Sequence, residues 1–225
     1  GVLSQVSATT VQNGGTLDLG GTSQTVDSVT LASGTLTNGS LAGAVSSSGT
    51  SAISADLTGA TTTLAVTGGT TTLSSTGNTY KGTTTVDTGT LLIGGAGVLS
   101  QVSATTVQNG GTLDLGGTSQ TVDSVTLAGG TLKNGSLAGA VSSSGTSAIS
   151  ADLIGATTTL AVTGGTTTLS STGNTYKGTT TVDTGTLLIG GAGVLSQVSA
   201  TTVQNGGTLD LGGTSQTVDS VTLAG

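Results

Sequence analysis

The chain has 225 residues, 41 of them glycine, and a formal net charge of −7 from ten Asp and three Lys. It contains no Cys, His, Arg, Glu, Met, Phe, Trp or Pro, and its only aromatic residues are Tyr80 and Tyr176. This composition excludes disulfides, thiolate chemistry and imidazole-based mechanisms, and the scattered acidic charge disfavours nucleic acid or an anionic membrane as partner.

Hydrophobic residues make up 33% of the chain, mostly Val, Leu, Ile and Ala, and the mean hydropathy of +0.29 is too high for a solvated coil. A globule of this length would fill its centre with Phe, Met or Trp. Their absence predicts a narrow core, one rung deep and stacked along an axis. No window reaches the roughly 18 apolar residues of a membrane span, and no signal peptide opens the chain.

The sequence repeats with a period of 96: the segment that begins at Gly1 begins again at Gly97 and at Gly193. Residues 1–96 and 97–192 differ only at Ser33 against Gly129, Thr37 against Lys133 and Thr58 against Ile154. The third copy, 193–225, covers about a third of the period, as expected of a piece of a longer array. The three units follow one another without a linker or a shift in composition, which predicts one continuous body.

Along the first unit the apolar period is two. In Thr16-Leu17-Asp18-Leu19 the leucines face one way and Asp18 the other; Val29-Thr30-Leu31, Leu64-Ala65-Val66 and Leu91-Leu92-Ile93 repeat the pattern. Between these runs stand Asn13-Gly14-Gly15, Gly20-Gly21, Asn38-Gly39, Gly68-Gly69, Gly77-Asn78 and Gly94-Gly95, residues suited to sharp turns. No stretch carries a helical period. The pattern predicts an all-β parallel β-helix, or β-solenoid, of about five coils per 96-residue unit, with boundaries near Gly21, Gly39, Thr62 and Asn78. At a coil spacing of ~4.8 Å each unit is ~24 Å long. The exchange of Thr58 for Ile154 predicts a half-exposed position beside Leu57 and Leu153.

Residues 72–95 carry a recognisable motif: Asn78, Tyr80, Gly82, Val86, Gly89, Leu91 and Gly94 in fixed order, repeated over 168–191. It resembles the passenger-associated (autotransporter-associated) β-strand repeat of bacterial type V secreted adhesins and covers about a quarter of each unit. Lys81 and Lys177 depart from it, since the family often has Thr or Ser after the Tyr. The resemblance implies a right-handed parallel β-helix on a bacterial cell surface, exported across the outer membrane through a C-terminal barrel, and this chain contains no such barrel.

The residues offer little chemistry. No Gly-x-Ser-x-Gly elbow occurs, and Asp18 and Asp87 read as single carboxylates on outward strand faces. The segment Gly94-Gly95-Ala96-Gly97-Val98-Leu99 has the glycines of a calcium roll but Leu where Asp belongs, and Gly20-Gly21-Thr22-Ser23 lacks the third Gly. A phosphate loop at 95–97 lacks both a following helix and a placed Lys. Tyr80 and Tyr176 read as rung caps or groove contacts with the hydroxyl reaching solvent, or as a sugar-stacking platform. The threonines at 61–63, 70–72 and 83–85 read as outward ladders, at different places in each coil and so unlike an ice-binding array. Asn38-Gly39-Ser40 and Asn134-Gly135-Ser136 match the N-glycosylation pattern. The expectation is a non-enzymatic shaft without catalytic residues, metal or cofactor, projecting or presenting a binding surface to an unidentified host, surface or glycan ligand. The alternative is an extracellular filament or biofilm fibre that self-associates end to end or laterally.

Overall fold

The computed structural model describes residue 3 and residues 5–225; Gly1, Val2 and Ser4, and with them the start of the first unit, lie outside the described residues. Every regular element among the described residues is a β-strand. The first unit supplies β1 (Ala8–Gln12), β2 (Thr16–Ala32), β3 (Thr35–Ser48), β4 (Thr50–Ile53), β5 (Asp56–Leu57), β6 (Thr63–Val66), β7 (Thr70–Leu73), β8 (Thr84–Val86) and β9 (Thr90–Ile93). The same nine recur 96 residues later, from Ala104–Gln108 to Thr186–Ile189, followed by Ala200–Gln204, Thr208–Asp210 and Ser220–Ala224. These strands pair in parallel, one coil on the next, as a β-solenoid of about 11 turns.

Three faces run along the stack. On the first, Ala8 pairs with Ser28, Ser28 with Ala44, Ala44 with Thr63, Leu64 with Thr84, and Thr84 with Thr105. These steps of 20, 16, 19, 20 and 21 residues complete one 96-residue unit in five coils. On the second face Thr16 pairs with Thr35, Thr50 with Thr70 and Thr70 with Thr90. The third carries Ser23 on Ser40 and Ser40 on Asp56; Thr79 N–H then donates to Leu57 O at 2.9 Å. The ladder crosses the junction between units without a break, with Leu91 on Leu113 and Thr84 on Thr105.

β2 lies on all three faces in turn. It bends first at Gly20 (φ 62°) and Gly21 (φ 70°), where L side chains are disfavoured, and again between Thr25 and Ser28, where its register on β3 shifts. Gly21 and Gly39 stand at the corner between the second and third faces, as expected of boundaries one coil apart. Thr62 does not. The matching corner in its coil is at Ser54–Ala55, just before Asp56, because the coil between is only 16 or 17 residues long. Thr62 belongs instead to the loop that leads from the third face back to the first. Its hydroxyl donates to Thr58 O at 2.5 Å and accepts from Gly43 N–H at 2.9 Å, so a polar residue inside the wall serves as a turn clamp.

The two-residue period sets the core. Val29 and Leu31, Leu64 and Val66, Leu91 and Ile93, and Leu113 and Leu115 all point inward and are fully buried. Thr58 and Ile154 are half-buried, in keeping with their exchange between units. What one coil does for the next is visible at the last turn. Val221 and Leu223 are the third-copy counterparts of Val29 and Leu31, yet with no coil over them they are 51% and 80% exposed. Covering each such side chain contributes about 1.5–3 kcal/mol, so stability accrues coil by coil.

The core is not purely aliphatic. The middle threonines of the expected outward ladders, Thr62, Thr71 and Thr84, are buried, and Thr71 Oγ1 shares a hydrogen bond with Ser47 Oγ at 2.7 Å. Thr62 finds backbone partners and Thr84 the hydroxyl of Tyr80, so each of these inward hydroxyls is satisfied inside the wall. The outward column of the first face mixes Thr10, Thr30, Ser46, Ala65 and Thr85 in register.

Candidate functional site

Asn78 and Tyr80 both point inward from the third face, so the residues between and after them, Thr79 and Lys81, point outward. Asn78 joins three coils. Its Oδ1 accepts from Leu57 N–H at 2.8 Å, while its Nδ2 donates to Ser75 O at 2.7 Å and to Val98 O at 2.8 Å. Tyr80 is fully buried, and its hydroxyl is 2.5 Å from Thr84 Oγ1. The ring is neither a cap nor a platform for a sugar, contrary to the sequence expectation. In a chain without Phe or Trp the two tyrosines are the largest side chains of the core, and Thr84 supplies a partner for the Tyr80 hydroxyl. Tyr176 repeats this with Thr180. Burial raises the pKa of both phenols, an effect partly offset by hydrogen bonds from Thr84 and Ser103 in one unit and Thr180 and Ser199 in the other.

On the next coil, Ser100 Oγ donates to Tyr80 O at 2.6 Å and Ser103 Oγ to Gly82 O at 2.5 Å. These bonds pin both ends of a short turn to the coil before it. The residues between, Gln101 and Val102, are thereby pushed outward, and Val102 is 56% exposed. Thr76, Thr79, Lys81, Gln101 and Val102 then line a groove of about 410 Å³ above the buried Asn78, Leu99 and Ser100. The second unit repeats it, at about 420 Å³, with Thr172, Thr175, Lys177, Gln197 and Val198.

The groove holds unengaged polar groups. Among the described residues, the side chains of Thr76, Thr79, Lys81 and Gln101 make no hydrogen bond or ion pair within the protein, nor do those of Thr172, Thr175, Lys177 and Gln197. Lys133, the remaining lysine, is paired with Asp114 at 3.5 Å. That pair accounts for the Thr37/Lys133 difference: position 37 lies directly over Asp18 in register, and in the first unit Thr37 instead accepts from Ser54 Oγ at 2.9 Å.

Elsewhere the expected candidates are absorbed into the scaffold. Asp18 Oδ1 accepts from Gly20 N–H at 2.8 Å and from Asn38 Nδ2 at 3.0 Å, so this carboxylate is a corner brace rather than a solitary group. Asn38 and Asn134, in the glycosylation-like triplets, are left-handed turn residues (φ 57° and 60°) whose amides are engaged by Asp18 and Asp114. The Gly94–Leu99 turn is held by Gln120, a residue that the sequence reading passed over. Its Oε1 accepts from Val98 N–H at 2.9 Å and Leu99 N–H at 3.0 Å, and its Nε2 donates to Gly95 O at 2.7 Å. Those two N–H groups, and within residues 95–97 that of Gly97, which donates to Ser119 O at 3.3 Å, are committed to the scaffold. The signal for Gln120 is its phase, two residues before buried Val122. Asp87 is exposed on the outer wall. Among the described residues no three His, Cys, Asp or Glu side chains converge as metal ligands, and no helix is long and apolar enough to cross a membrane.

Compared with protein-family models, curated proteins and solved structures, the chain matches none. The motif residues must therefore be read by what they do here. Asn78, Tyr80, Val86 and Leu91 are buried, and a Cβ on Gly82 would come 2.9 Å from the Thr62 carbonyl carbon. A Cβ on Gly89 would come 2.8 Å from that of Gly68. These residues specify how one coil sits on another. Lys81, by contrast, is exposed and lines the groove together with Thr76 and Thr79.

Proposed function

We propose that this chain is a length of non-enzymatic shaft, a β-solenoid that projects from a bacterial cell surface in the manner of an autotransporter passenger and presents binding surface along its length. The observation that carries the reading is the uninterrupted ladder across the junction of two nearly identical units, Leu91 on Leu113 and Thr84 on Thr105. A device built by adding equal increments of length makes such a junction indistinguishable from any other coil-to-coil contact. The use of the motif residues as coil staples and spacers supports the same reading.

Removing residues 97–192 tests it. The cut joins identical surroundings, so the shortened protein is expected to fold with the same stability per coil and to lose ~24 Å of length by small-angle scattering. A shortened protein that unfolds or changes shape would refute the shaft reading. Cleavage of a polysaccharide panel by the purified protein, abolished by Asp substitution, would replace it with an enzyme.

A further inference from the structure

We infer that the two repeated grooves at Lys81 and Lys177 are binding sites for a sparsely carboxylated polysaccharide, one acidic sugar per groove. This deepens the shaft reading by giving the shaft a ligand, and it relies on that reading only for the setting in which the ligand is met.

The first argument is charge. The chain carries three cations against ten carboxylates, and two of the three stand at equivalent places in two grooves without an ionic partner. An unpaired ammonium in an acidic protein complements one carboxylate. The surrounding negative field repels a polymer with a charge at every position, which favours a ligand whose carboxylates are spaced apart. The second argument is polarity. Around each lysine stand two threonine hydroxyls and a glutamine amide that bond to nothing else in the protein, a set of donors and acceptors suited to sugar hydroxyls. Beside them Val102 and Val198, 56% and 53% exposed, offer a small apolar surface to the C–H face of a pyranose.

The third argument excludes a peptide. Strand addition needs a free backbone edge. Here the backbone of the groove is already used: Thr79, Tyr80 and Lys81 donate to the coil before, and Gly97 to the coil after. What remains free is side chains and the two-residue turn at Gln101 and Val102, which is no extended edge, and both are placed the same way in each unit. The two sites lie five coils apart, ~24 Å along one side of the rod, so a single polymer chain can engage both. Linking two weak contacts in this way raises apparent affinity without any new interaction.

The test uses the full 225-residue protein and three immobilised polymers: hyaluronan, with one carboxylate per disaccharide; carboxyl-reduced hyaluronan; and poly-aspartate. Retention on hyaluronan alone, weakening with salt, is expected. Lys81→Gln or Lys177→Gln, each leaving one groove, should lower apparent affinity at least tenfold, and the double variant should not be retained. Lys81→Arg should keep binding. Lys133→Thr, which gives position 133 the residue found at position 37, should leave it unchanged. Lys81 and Lys177 are exposed and unpaired, and Lys133→Thr restores the residue that the equivalent place in the first unit already carries, so these exchanges spare the fold, and circular dichroism checks this. No retention on hyaluronan, equal retention on the reduced polymer or on poly-aspartate, or full binding by the double variant would each overturn the proposal. None of these results changes the rod length, so the shaft reading stands or falls separately.

Discussion

Gly68 and Gly69 are adjacent and equally plausible as turn residues, yet the structure assigns them opposite tolerances. A Cβ on Gly68 would meet nothing within 4 Å. On Gly69, where φ is 65°, it would lie 2.6 Å from both the carbonyl carbon and the Cα of Gly49 and closer still to the oxygen. That oxygen is the acceptor for Thr70 N–H at 2.7 Å, so the coils cannot part without breaking the bond. Gly69→Ala therefore combines a left-handed backbone penalty of about 1–2 kcal/mol, a ladder hydrogen bond worth about 1 kcal/mol and a backbone clash. The total expected is about 3–5 kcal/mol, at the upper end for a single substitution. Gly68→Ala should be within about 0.5 kcal/mol of neutral, or stabilise slightly by restricting the unfolded chain. Urea titration followed by circular dichroism measures the difference. Hydrogen exchange adds the location, since protection should fall in the coils containing Gly49 and Gly89 and persist far along the rod. Similar losses for the two variants, or a neutral Gly69→Ala, would refute the coil spacing on which the fold description rests.

The other expectations concern the left-handed corner and the buried phenols. Ser33 adopts φ 61° where the second unit has Gly129 at φ 85°, so Ser33→Gly should stabilise the first unit by about 1 kcal/mol and Gly129→Ser should destabilise the second by a similar amount, both read from urea midpoints. Burial raises the Tyr80 and Tyr176 pKa values in the fold, so the folded state keeps those protons when the unfolded chain has lost them. Their contribution is fully present below about pH 10, the ordinary tyrosine value, and is lost as pH rises towards the folded values. Unfolding titrations from pH 8 to 11 should show this decline, and replacing both tyrosines by Phe should flatten it.

How much of this protein is legible in its sequence divides along a physical line. The alternation of Leu17, Asp18 and Leu19, the glycine and asparagine turns, and the 96-residue self-identity require short strands in repeating coils, because a period of two has one buried face and a linear repeat buries it only by stacking. The slim core follows from composition alone, since there are no large side chains to fill a thicker one. The lengths of individual coils do not follow. The boundary assigned at Thr62 belongs at Ser54–Ala55, because coil length depends on which corner carries the extra loop, and that is fixed by pairing between residues 16 to 22 apart. The same holds for the roles of polar residues. Tyr80 and Gln120 are inside because Thr84 in the one case and Val98 N–H in the other lie where a neighbouring stretch of backbone delivers a partner. Lys81 faces a groove because Ser100 and Ser103, about 20 residues later, fasten the turn that walls it. Local periodicity determined which way each side chain points; contact between successive coils decided what it meets there.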